Sequence, residues 1–163
     1  MGPKVEDQEQ VPGMRYHVKN TPVGGWKYEA VALANVRSTV NLLARILIAK
    51  VEDERRLVYI FNTTPVDPRY FEGQPVNPDD PNWEKAEKDP NWRCRSWVRA
   101  VLERLKADGR AVGSNAVLDW NRIQALGREY VAQKTQSGRY AVAEEMLLPK
   151  PTWDMMEKRE IVP

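Results

Sequence analysis

A chain of 163 residues sets the scale of one domain, and a hydrophobic content of 42% is enough to build a core. Lys and Arg number 25 against 23 Asp and Glu, and the resulting net charge of +2 gives no strong electrostatic pull towards nucleic acid or an acidic membrane. One cysteine and one histidine exclude an internal disulfide framework and zinc sites of the finger, ribbon or three-histidine kind.

Residues 1–13 read as a flexible lead-in punctuated by Pro3, Pro12 and Gly13. The segment is polar, so it is not a secretory signal, and no later apolar run approaches the roughly 20 residues that span a bilayer. A cytoplasmic location is the default expectation. Met14–Asn20 alternates as a strand does, with Tyr16 and Val18 on one face and Arg15, His17 and Lys19 on the other. Pro22, Gly24 and Gly25 supply turn chemistry, and Trp26–Leu33 alternates again, so the two runs read as a hairpin.

Leu42–Val51 is apolar on both faces and β-branched in the middle, which predicts a central strand, with a helix as its rival. Asp53 can cap a helix carrying Leu57, Val58, Ile60 and Phe61 and ending near Asn62. Residues 62–92 then form a long loop holding six of the twelve prolines. The word Asp-Pro-Asn-Trp occurs in it twice, ending at Trp83 and at Trp92. Loops of this length in a compact domain often border a functional site.

Asp89 or Asn91 can cap the next helix, whose stripe is Trp97, Val98, Val101, Leu102 and Leu105 and whose end is Asp108-Gly109. A further helix runs from about Asp119 to Lys134 on a stripe of Trp120, Ile123, Leu126, Tyr130 and Val131, and Ser137-Gly138 stops it. Glu144–Leu148 can form a turn of helix before Pro149 and Pro151. The organisation read from this pattern is α+β: a small antiparallel sheet packed against helices, one domain over 14–138, and a tail over 139–163 carrying Trp153, Met155 and Met156.

Chemistry concentrates on two rare residues. Cys94 lies in the first turn of the helix after Asn91, where unpaired N–H groups and the dipole favour a thiolate, and Arg93 and Arg95 push the same way. Cys94 also lies one turn before Trp97 and Val98, so it can belong to the buried stripe, which is the reading that spacing alone favours. His17 is a partner for it only if the fold brings the two within about 3 Å. Trp83 and Trp92 are the tryptophans placed to line a cleft, beside Arg93 and Arg95, while the others fall on core stripes. Gly24-Gly25 lacks a phosphate-binding fingerprint, no carboxylate pair stands out, and nothing calls for a metal or cofactor.

Met14–Asn20, Trp26–Glu29, Leu43–Glu52, Asn91–Val98, Asp108–Ala111 and Asp119-Trp120 together resemble a group of uncharacterised small fungal proteins. That group in turn resembles the permuted papain-like fold of the lecithin:retinol acyltransferase type. The resemblance implies a cysteine-dependent hydrolase or acyltransferase acting on an ester, amide or thioester. Cys94 matches the nucleophile and His17 the second-strand polar residue. The first-strand His-Trp of that fold belongs just before Gly2-Pro3-Lys4, where this chain has Met1. Three readings of that difference stand: the chain is a truncated version of a longer protein, His17 itself acts as the base, or the site is inactive. A missing strand would also leave an open sheet edge at which a second copy can pair. Two functions therefore stand side by side: a thiol enzyme taking a small-molecule or peptide substrate, and a non-catalytic interaction module on the same fold. A nucleic-acid binder ranks last, because the basic residues form no run or stripe.

Overall fold

Alternating polar and apolar residues shape the start of the chain. The computed structural model describes residues 11–22, 25–36, 42–66 and 91–163. In it, β1 (Gly13–Thr21) and β2 (Gly25–Leu33) form an antiparallel hairpin that sets His17 opposite Glu29 and Val18 opposite Tyr28. Gly25 takes φ 68°, a left-handed value that costs glycine little. Tyr16, Val18, Trp26 and Tyr28 turn inward, as the period of two requires. The end of the expected lead-in is ordered structure: Gly13 opens β1. Val11 is buried, and its carbonyl accepts from Val36 N at 2.8 Å, which ties it to the far end of β2. Residues 1–10 lie outside the described residues.

The helices start where their capping residues stand. Asp53 caps α1 (Glu54–Thr63) by accepting from Arg56 N at 3.0 Å. Asp119 does the same for α3 (Trp120–Gln136), accepting from Arg122 N at 2.7 Å. Between them runs α2 (Cys94–Asp108), which ends on Gly109 at φ 66°. Trp97, Ala100, Val101, Leu102 and Leu105 are its buried stripe, whereas Val98, expected on that stripe, is 37% exposed. Ile123 and Leu126 of α3 are half-buried and Tyr130 is buried, so the stripe predicted there forms a contact face.

Aromatic rings sew the hairpin to the helices. Tyr16 meets Phe61 at 4.6 Å between ring centres, Tyr28 meets Trp97 at 5.4 Å, and Trp26 meets Trp92 edge-on at 4.9 Å. Tilted and edge-on pairs of this kind add about 0.5–1.5 kcal/mol beyond the area they bury. The Trp97 indole N–H is satisfied by the Thr64 carbonyl at 3.3 Å, just past the end of α1.

The central strand expected over Leu42–Val51 is shorter and lies at an edge. Among the described residues, β3 (Arg45–Leu47), β4 (Thr152–Asp154) and β5 (Arg159–Val162) form a sheet in that order, with β4 in the middle. β3 pairs with β4 in parallel, and β4 with β5 antiparallel. Beyond Leu47 the chain changes partner: Ile48 O accepts from Val117 N, and Val51 bridges Val112. Apart from exposed Leu43, the apolar residues of the stretch are half-buried, against two different neighbours. Residues 139–163 correspondingly form structure where a tail was expected: α4 (Ala143–Leu147), then β4 and β5. Trp153 packs on Tyr130 of α3 with the rings tilted and their centres 5.8 Å apart, and the Tyr130 hydroxyl donates to Glu160, which also holds Lys134 at 2.7 Å. The fold is α+β, a small antiparallel hairpin and a small mixed sheet against helices.

Candidate functional site

α2 begins later than Asp89 or Asn91 would start it. Its N-cap is Arg93, whose N–H donates to Ser96 Oγ at 3.2 Å, so Cys94 is the first helical residue. Asn91 lies in the turn before it, and Asp89 is outside the described residues. Tyr28 and Phe61 cover Trp97 without closing over this first turn, and Cys94 is exposed. Membership of the buried stripe, the plainer of its two sequence readings, is therefore overturned. The two flanking arginines are exposed as well, and the Arg93 guanidinium donates to Trp92 O at 2.7 Å. Trp92 itself does not line a cleft. It is 2% exposed and belongs to the core, because Trp26 takes up its ring. Trp83 lies outside the described residues.

The structure does not join His17 to Cys94. His17 alternates with Tyr16 and Val18, so its imidazole stands on the face of the hairpin turned away from α2. Its neighbour there is Glu29, whose Oε2 is 3.6 Å from His17 Nε2 and whose Oε1 takes the Lys19 ammonium at 2.8 Å. The hydrogen bond from Lys19 outweighs the cost of burial and holds the Glu29 carboxyl below its ordinary range. Along the strand the two lie near each other, since Trp97, one turn after Cys94, meets Tyr28, which pairs with Val18; it is the opposite facing of His17 that parts them. Among the described residues no group of three or more His, Cys, Asp or Glu side chains stands together to hold a metal.

A different set of residues surrounds a cleft of about 430 Å³ between α1 and α2: Asp53, Arg55, Arg56, Tyr59, Ile60, Arg104 and Asp108. Two elements distant in sequence build it. The Arg56 Nε donates to Asp108 Oδ1, while Arg110 N and Ala111 N donate to Asp108 Oδ2 at 3.0 and 2.9 Å. Burial pushes the Asp108 carboxyl up, but the Arg56 guanidinium and the two N–H groups prevail and hold it below the usual range. Arg104 caps the other end of α1. It donates to Thr64 Oγ1 at 3.0 Å and Thr63 Oγ1 at 2.9 Å, and more weakly to Ile60 O. Tyr59, at 64% exposure, stands on the rim above buried Ile60.

Sequence reasoning missed this cleft because it weighted the rarest residue types. Asp53, Arg55 and Arg56 are neighbours in sequence, but Arg104 and Asp108 join them only through the packing of α1 on α2, so no local signal marked the cleft. The described residues thus define an α+β protein with a cationic interhelical cleft and, apart from it, an exposed thiol. Among them, no helix is long and apolar enough to cross a membrane. The chain belongs to the family of unknown function DUF6914, whose profile matches residues 1–162. Comparison with the curated proteins yields no match, and neither does comparison with the solved structures.

Proposed function

We propose that the chain is a non-catalytic interaction module. The observation that supports this reading is the separation of the thiol and the imidazole. His17 can serve a cysteine nucleophile as its base only within hydrogen-bond reach. Here the Cys94 thiol is exposed on α2, and the imidazole stands on the reverse of the hairpin, where its Nε2 is 3.6 Å from Glu29 Oε2 and makes no hydrogen bond among the described residues. The hairpin has the further property that no third strand pairs with it among the described residues. Its edge is a place for a second copy or another extended chain.

A second reading keeps the cysteine-dependent hydrolase or acyltransferase on a permuted papain-like core. Its support is the exposure of Cys94 at the first residue of a helix, between Arg93 and Arg95. In that reading Cys94 attacks an acyl carbonyl, the N–H groups of the first turn hold the oxyanion, and the acyl group passes to water or an acceptor. A base other than His17 is then required.

Turnover of a chromogenic ester, an acyl thioester and an anilide by the full chain separates the two. The module reading predicts rates that are the same for the native protein and Cys94→Ala. Turnover that disappears in Cys94→Ala, with the variant still folded by circular dichroism, overturns it in favour of the thiol enzyme.

A further inference from the structure

We propose that the cleft between α1 and α2 docks an acidic peptide, with a carboxylate seated at Arg55 and Arg56 and an apolar side chain laid on Tyr59. The proposal rests on the module reading and names the chemistry of its partner.

Charge is the first support. The whole chain has a surplus of only two positive charges, yet Arg93–Arg110 alone has a surplus of four. On α1 and its cap, Asp53 and Glu54 balance Arg55 and Arg56. Of the basic residues in Arg93–Arg110 only Arg104 lines the cleft, whose wall sets three arginines against two aspartates, both already held within the fold; a surplus of that sign favours an anionic partner.

The donor inventory within the cleft is the second support. Arg104 is committed to the end of α1, and both oxygens of Asp108 are occupied from within the fold. Asp53 is committed to its helix cap. Arg56 gives its Nε to Asp108, and the two terminal nitrogens of its fork are further donors in the same wall. Arg55 is exposed and makes no ion pair among the described residues. Two guanidinium groups on adjacent residues, one anchored by a carboxylate and the other unanchored, match the planar geometry of an incoming carboxylate.

Shape decides between classes of anion. A cleft of about 430 Å³ accommodates one or two side chains and offers Tyr59 and Ile60 as an apolar wall. A nucleic-acid backbone would instead carry successive phosphates past Asp53 and Asp108, which line the same cleft. A peptide with one acidic and one aromatic side chain satisfies both the donors and the wall.

Fluorescence anisotropy with a fluorescein-labelled peptide of alternating Glu and Phe, titrated with the full chain at low and moderate salt, tests the proposal. The expected result is saturable binding that weakens with salt and falls about tenfold in Arg55→Glu. Arg128→Glu makes the same charge change on the exposed side of α3 and is expected to leave binding within about twofold. Three outcomes overturn the proposal: no saturable binding at low salt, equal losses in the two variants, or tighter binding of a labelled oligothymidine than of the peptide. Turnover by the same preparation that is lost in Cys94→Ala overturns the module reading itself. Failure of the peptide to bind without such turnover removes only the assignment of the cleft.

Discussion

At the scale of single residues, Asp108 illustrates how a position with one local role acquires a second through the fold. In sequence it is the residue before a helix-ending glycine. In the structure its carboxylate receives Arg56 from α1 and the N–H groups of Arg110 and Ala111. Burial opposes the charged form, and these three donors reverse that and depress the carboxyl. Glu160 behaves alike, with Lys134 and Tyr130 overcoming its burial. Because both folded values lie below the unfolded ones, their contributions are present above the ordinary carboxylate range. They are lost as pH falls through the depressed values. Thermal unfolding followed from pH 7 to pH 3 should show a falling Tm, with a shallower acid slope for Asp108→Asn than for the native chain. An equally steep slope in the variant would assign the acid sensitivity elsewhere. None of this was legible in the sequence, since Arg56 and Asp108 meet only once α1 and α2 are packed.

At the scale of elements, local chemistry set most boundaries. Asp53, Asp119 and Gly109 stand where the sequence places helix ends, because capping depends on a few neighbouring residues. Asp53→Ala should cost about 1 kcal/mol in urea unfolding without changing the slope of the transition, the ordinary price of a lost N-cap. A loss below a few tenths would mean that Arg56 and Asp108 hold the start of α1 unaided. The hairpin was equally legible, because alternation and a glycine turn are local signals. β3, β4 and β5 were not. Strands of three or four residues show too little periodicity, and Arg45 meets Thr152 from the far end of the chain. Trp153 and Met155 therefore read as tail residues although Met155 is buried and Trp153 packs on Tyr130.

At the scale of the whole molecule, one core links the hairpin, α1, α2 and the start of α3, and Trp97 is its centre. It touches Tyr28 from the hairpin and Phe61 from α1, and it is 2% exposed. Trp97→Ala should cost about 3–5 kcal/mol, a large share of the 5–15 kcal/mol that holds a typical domain together. Chemical denaturation at 25 °C reads this directly, and a cost under about 1 kcal/mol would show that the hairpin is not docked on the helices. The same global packing explains why the functional reading changed between sequence and structure. Rarity made Cys94 and His17 conspicuous in the sequence, but whether two residues meet is a property of the fold. The fold directs one to the open start of α2 and the other to the outer face of β1. Conversely, Arg55, Arg56, Tyr59 and Asp108 are ordinary surface types until α1 crosses α2.

If the thiol and the imidazole act independently, removing one leaves the reactivity of the other unchanged. The rate of Cys94 alkylation by iodoacetamide, measured from pH 5 to pH 9 for the native chain and for His17→Ala, tests this most directly. Superimposable rate profiles for the two proteins are expected. A profile that drops at low pH only when His17 is removed would place the imidazole beside the sulfur and contradict that independence.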